Sequence, residues 1–265
     1  MNVLVTSFSL ILIGIAMIHP AFFFSVDRLV RDKVVTRKYL QTNYIVHLST
    51  GIVSVLLYWL YSVNYPLQIA GLVYMGVVIM VVLFYWNSEL TKWNLFTASA
   101  LFGFIVFYRS VNEIVEITPL WPGIMTGLLS SVSLSILLFL MIESVNGFAN
   151  DDAVRFRKKY FKIFYFVIGL RIAWQIVILS NLSVGTGYGE TISAVIFFWQ
   201  VNPIKLVFII LLGMVIPLIY IAVLRKQMFS PETRLRWPIL VPLFISIFVA
   251  EMLIKYLLLQ FGIVL

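Results

Sequence analysis

Arg109, Glu113 and Glu116 fall close together between two long apolar runs. The passage reads Arg109-Ser110-Val111-Asn112-Glu113-Ile114-Val115-Glu116-Ile117-Thr118-Pro119-Leu120-Trp121-Pro122. It sets a guanidinium near two carboxylates. Such a set can accept a proton, hold a polar headgroup through hydrogen bonds, and use the cation to keep the acid poised. Arg171 stands inside a later apolar run, with Trp174 and Gln175 about one turn further on. Glu251 and Lys255 are four residues apart, so they share one helical face and can pair. His19 and His47 are the only histidines. There is no cysteine, which excludes disulfides, iron–sulfur clusters and thiolate metal sites on this chain. Any such centre belongs to a partner. The run Gly185-Thr186-Gly187-Tyr188-Gly189-Glu190 has the glycines of a phosphate loop. No strand precedes it and no Lys-Ser/Thr follows, so we reject a nucleotide site and expect a flexible loop after Asn181.

These residues have to be positioned by membrane helices. The chain is 62% hydrophobic and 11% charged, where a soluble domain has roughly 45–50% apolar and about 25% charged residues. Mean hydropathy is +1.03. A water-soluble core cannot hide that much apolar surface, so the chain reads as an all-α polytopic membrane protein. A spanning helix needs about 20 mostly apolar residues. Eight runs qualify, at 5–26, 43–63, 67–87, 94–110, 122–142, 160–181, 203–224 and 238–259. No long polar segment separates them, so residues 1–265 form a single transmembrane bundle. The N-terminus has no basic region and no clear small-residue cleavage site, so the first run is expected to be retained as a helix.

The loops alternate in charge. Arg28, Arg31, Lys33, Arg37 and Lys38 lie between the first two runs, and Lys92 between the third and fourth. Arg155, Arg157, Lys158, Lys159 and Lys162 follow the fifth run, and Arg225, Lys226, Arg234 and Arg236 the seventh. Odd-numbered loops thus hold 15 of the 19 basic residues. By the positive-inside rule these loops are cytoplasmic, and both termini are expected outside. The net charge of +8 therefore reflects orientation, and no nucleic-acid partner is inferred. Pro20 and Pro217 fall inside runs and should kink them, whereas Pro242 is read as lying near a boundary.

This topology gives each charge a depth. Arg109, Glu113 and Glu116 are expected at the outer interface, Arg171 near mid-membrane, and Glu251 and Lys255 in the outer half. Two readings are open. Charges in the bilayer can be structural ion pairs between helices, or they can line a polar pocket that opens outward, binds an amphipathic substrate and moves protons. Their shared depth favours the pocket. His19 and His47 fall at similar depth on neighbouring helices and could together hold one haem b. The alternative is a pair of hydrogen-bonded histidines, since Pro20 frees backbone carbonyls beside His19. We expect no haem or metal on the chain.

Two passages carry a family resemblance. Arg109 through Asn112 and Ile114 to Pro119-Leu120-Trp121 resembles the Arg…Asn…Ile…Pro-x-Trp passage of the DMSO reductase membrane anchor, the DmsC-like branch of the NrfD/polysulfide reductase anchors. Ala250-Glu251-Met252-Leu253-Ile254-Lys255-Tyr256 resembles that family's closing Gly-Glu-x-x-Gly-Arg signature, with Ala250 and Ile254 at the glycine positions. The family's usual histidine at the outer end of helix two is replaced here by the short stretch Tyr61-Ser62-Val63-Asn64-Tyr65-Pro66. The resemblance implies a quinone-interacting anchor without redox metal, in the cytoplasmic membrane of a bacterium or archaeon. It would oxidise menaquinol near the outer face and pass electrons to an iron–sulfur subunit that feeds a molybdopterin catalytic subunit. On this reading Glu113 or Glu116 accepts the proton and Arg109 poises it. Arg171, Trp174, Gln175, Glu251 and Lys255 would orient the headgroup or line a proton exit. A haem b-containing quinol anchor and a secondary transporter are the alternatives.

Overall fold

The computed structural model describes residues 3–22, 37–61, 64–88, 93–114, 120–146, 151–181, 183–185, 191–228 and 237–261. The helices are α1 (Val3–Ile18, extended by a 3-10 turn His19–Phe22), α2 (Arg37–Tyr61), α3 (Tyr65–Tyr85), α4 (Trp93–Ile114) and α5 (Leu120–Asn146). They continue with α6 (Asp151–Asn181), α7 (Ala194–Val201), α8 (Pro203–Ile210), α9 (Ile216–Met228) and α10 (Trp237–Phe261). A π-helical segment, Leu211–Val215, joins α8 to α9. Eight spans are long and apolar enough to cross a membrane: Val3–Phe22, Arg37–Trp59, Tyr65–Tyr85, Asn94–Glu113, Trp121–Val145, Arg157–Asn181, Pro203–Arg225 and Trp237–Leu257. The chain is a multi-pass helical membrane protein.

The second helix begins six residues before the expected 43, because Arg37-Lys38-Tyr39-Leu40-Gln41-Thr42 continues the helix without a breaker. Pro242 lies inside α10, not at a boundary. The segment after Asn181 contains more than a loop. Strands β1 (Ser183–Gly185) and β2 (Thr191–Ser193) pair antiparallel and lead directly into α7. Ser193 caps α7 by accepting from the Ile196 N–H. Residues 186–190, which hold two of the three glycines, lie outside the described residues.

Successive spans run antiparallel, as short connections require. Tyr58 near the end of α2 meets Glu113 near the end of α4, and Arg37 at the start of α2 meets Asn87 just past α3. Lys205 at the start of α8 lies over the Tyr256 ring near the end of α10. The bundle therefore has a basic end, carrying Arg37, Arg157 and Arg225, and an opposite end where the described chain begins and finishes.

Helix α1 is central and packs on α2, α4, α5 and α10. Two-thirds of its span is buried, against one-third for α3. The reason lies in its side chains. Helices in lipid approach closely where residues are small, and α1 and α5 supply Ser7, Ser9, Gly14, Gly127, Ser130, Ser131 and Ser133 on their buried faces. The hydroxyls are satisfied locally: Ser7 donates to the Val3 carbonyl at 2.8 Å, Ser131 to Gly127 at 2.6 Å and Ser133 to Leu129 at 2.8 Å. Ser9 reaches across and donates to the Ser54 carbonyl at 2.8 Å, tying α1 to α2. The outer helices turn Met80, Leu83, Phe84, Phe166 and Ile204 away from the protein, as lipid-facing side chains are.

Candidate functional site: a buried ion cluster and a polar cleft

The charges at depth divide into two groups, one on each side of the central helices. The first joins α6, the π segment and α10. Arg171 is 1% exposed and Glu251 fully buried. Arg171 Nε donates to Glu251 Oε1 at 2.9 Å and Nη2 to the same oxygen at 2.5 Å. Lys255 Nζ donates to Glu251 Oε2 at 2.8 Å, the expected pairing four residues along one helix. The arginine and the lysine thus share one carboxylate.

Arg171 Nη1 donates to the Gly213 carbonyl at 3.0 Å. That acceptor is available for a sequence reason. An α-helix would use the Gly213 carbonyl for the N–H four residues on, and that residue is Pro217, which has none. The helix widens instead, with the Ile216 N–H donating back to Leu211. Gly213 also lets α10 come close: a Cβ there would stand 3.2 Å from the Ala250 Cβ. Proline, glycine and π turn together give the buried guanidinium a backbone partner, which satisfies a charge that lipid could not.

Trp174 and Gln175 leave this cluster in different directions. The Trp174 indole N–H donates to Thr126 on α5 at 3.0 Å, and its ring packs on Trp121. Gln175 is 5% exposed and, among the described residues, its amide has no hydrogen-bond partner. It faces a pocket walled by Leu179, Phe198, Ile209, Met214 and Leu257.

The second group lies between α3 and α4 at the end away from the basic loops. A cleft of about 440 Å³ is lined by Asn64, Pro66, Leu67, Ala70, Ile105, Arg109, Asn112 and Glu113. Asn64 caps α3 by accepting from the Leu67 N–H at 3.3 Å, with Pro66 in the first turn, which fixes this wall. The Tyr58 hydroxyl donates to Glu113 Oε2. Arg109 is exposed and pairs with no carboxylate among the described residues. Around the cleft, Ile69, Val73, Leu101 and Phe102 face outward, so it opens on the apolar flank of the bundle. Glu116 lies outside the described residues. The expected single pocket is thus two sites. Helix α4 packs on α1, α3 and α5, whereas the Arg171 cluster is built from α6, the π segment and α10.

The histidines lie toward the basic end. His19 Nε2 is 3.1 Å from Asn43 Oδ1, and its ring packs edge-on against Phe139. Asn43 in turn donates to the Tyr39 carbonyl at 2.8 Å. His47 Nε2 is 3.1 Å from the Ser99 hydroxyl. Its Nδ1 has no hydrogen-bond partner among the described residues. A haem shared by two histidines needs one nitrogen of each aimed at a common iron. Here each Nε2 engages a different polar side chain.

Sequence reasoning missed two groups. Glu143 is 2% exposed, and its Oε1 is 3.5 Å from Arg157 Nε. It was visible as the only acidic residue of the fifth span. Tyr58 looks like one more aromatic near a helix end, and nothing in the sequence ties it to Glu113. No protein-family model, curated protein or solved structure matches the chain.

Proposed function

We propose that the chain is the quinone-interacting membrane anchor of an oxidoreductase complex, oxidising menaquinol in the α3–α4 cleft. The observation that carries this reading is the cleft itself: a carboxylate held by a tyrosine hydroxyl, a guanidinium with no carboxylate partner among the described residues, and an amide, in a space that opens on the apolar flank. An isoprenoid quinol arrives through lipid and needs hydrogen-bond partners at its two oxygens and a proton acceptor. Glu113 accepts one proton, Asn112 and Arg109 hold the headgroup oxygens, and the second proton leaves to water at the cleft mouth. The two electrons pass to an iron–sulfur subunit, which feeds a molybdopterin catalytic subunit. This partner set rests on the resemblance of the Arg109–Trp121 passage and the closing helix to DmsC-like anchors. The same reading puts the complex in the cytoplasmic membrane of a bacterium or archaeon, with the partner subunits on the outer face.

The test is binding of a menaquinol analogue to the chain in lipid nanodiscs, followed by tryptophan quenching. A hydrogen bond to a charged group contributes about 1.5–3 kcal/mol, so Glu113→Gln and Arg109→Ala should each weaken binding by about 10- to 100-fold. Wild-type affinity in both variants would remove the cleft from the mechanism. Co-purification tests the partners. An iron–sulfur subunit should accompany the tagged chain from its native membrane.

One observation favours a secondary transporter instead. The seventh span is widened by the π segment beside a cluster in which two cations share one carboxylate. Interrupted helices that offer backbone groups to a buried charge are a feature of transporter sites. A chain that purifies alone and drives uptake in proteoliposomes would support this reading.

A further inference from the structure

At the basic end, between α6 and α9, a cleft of about 410 Å³ is lined by Phe161, Lys162, Tyr165, Ile221 and Arg225. Lys162 comes one turn into the sixth span, and Arg225 is the last residue of the seventh. Both therefore stand at headgroup depth, on helices that pack against each other. Among the described residues neither has a carboxylate or any hydrogen-bond partner. Two arginines of this end contrast with them. Arg37 bonds Asn87, and Arg157 pairs with Glu143. The cleft floor is apolar, with Phe161 and Ile221 buried, and the exposed Tyr165 ring forms a wall toward the membrane interior. The flank beyond it is apolar too: Phe166 and Leu170 on α6 and Leu218 and Ile219 on α9 all face lipid.

We propose that this cleft binds one anionic phospholipid from the leaflet at the basic end, with its phosphate between Lys162 and Arg225 and an acyl chain along α6 and α9. The chemistry is complementary at both ends. Two cations from separate helices, without partners among the described residues, meet a phosphate, Arg225 offering a fork of donors and Lys162 a point charge. An apolar groove leading toward mid-membrane meets a chain. A snorkelling lysine or arginine alone would need no cleft and no partner helix. Basic pockets between transmembrane helices are a general means of holding acidic lipids. The proposal does not depend on the quinol reading, since it uses other helices at the other end of the bundle.

Native mass spectrometry of the chain, released from nanodiscs of mixed phosphatidylglycerol and phosphatidylcholine, tests it. Wild type should retain one phosphatidylglycerol in preference to phosphatidylcholine. Each cation near an anionic lipid is worth about fivefold in affinity, so Lys162→Gln with Arg225→Gln should reduce retention by roughly 30-fold. Lys159→Gln removes an exposed cation from the same helix outside the cleft and should change nothing. Unchanged retention in the double variant overturns the proposal. An equal loss in Lys159→Gln also overturns it, because the attraction would then be bulk surface charge. Displacement of the lipid by millimolar inorganic phosphate would overturn it as well, since the site would then take a free anion. Thermal unfolding in a lipid-free detergent controls for folding, and the double variant should melt with the wild type there.

Discussion

At the scale of single residues, Arg171 and Glu251 define the chain's most demanding problem. A buried ion pair is costly to assemble and costlier to break, because removing one partner strands the other in a low-dielectric interior. Glu251→Ala leaves the buried Arg171 and Lys255 without the carboxylate they share. It should destabilise the protein by about 3–5 kcal/mol, whereas replacing Arg171, Glu251 and Lys255 together by Met, Leu and Met should be nearly neutral. Reversible unfolding in mixed micelles measures both, and a triple variant as unstable as the single one would show that the cluster is not a self-contained charge set. Part of this site was legible in the sequence. Glu251 and Lys255 declare their pairing by spacing alone. That Arg171 shares the same carboxylate was not legible, because 80 residues separate the two and only tertiary packing selects the partner. Glu143 was readable as a lone acid in an apolar span, but its partner Arg157 had the appearance of an ordinary loop cation.

At the scale of elements, composition and length were enough to locate eight spans, while the interruptions inside them needed the neighbouring helix. Pro217 signals a disturbed helix, yet the sequence alone cannot say that the freed carbonyl meets an arginine of α6. The same limit applies to the helix crossings. Gly127 on α5 looks like one small residue among several, but a Cβ there would stand 2.4 Å from Cζ of the Phe107 ring on α4. Phe107 is itself almost fully buried and has nowhere to retreat. Gly127→Ala should therefore cost about 1–3 kcal/mol through overpacking. Phe107→Leu in the same chain should recover most of that loss, giving a double-mutant cycle with clear coupling. Additive losses would mean that α4 and α5 do not meet at this crossing. The α3–α4 cleft belongs to the same scale. Its Arg109 and Glu113 were readable as a polar step at the end of a span, but the opposite wall, Asn64 to Ala70, is set by how α3 starts and leans on α4.

At the scale of the whole molecule, one asymmetry governs the remaining behaviour. The bundle places Arg37, Lys38, Arg157, Lys162 and Arg225 at one end, and the cleft with Glu113 at the other. Loop cations bias insertion because they resist translocation, so the basic end should stay cytoplasmic and both termini should face outward. The proposed quinol chemistry depends on this direction, since it decides on which side protons are released and the iron–sulfur partner docks. Fusions read it directly. Alkaline phosphatase joined after Leu265 should be active and a green fluorescent protein there dark, while the pattern should reverse for fusions made after Met228, at the basic end. A further variant tests the cause. Replacing Lys158, Lys159 and Lys162 by glutamine removes three cations from one connection, whereas the other odd-numbered connections keep theirs. Orientation is set by the summed bias of the short loops, so the C-terminal phosphatase signal should persist in that variant. A fluorescent C-terminal fusion in the unaltered chain would turn the cleft to the cytoplasmic side and with it any partner that accepts the electrons.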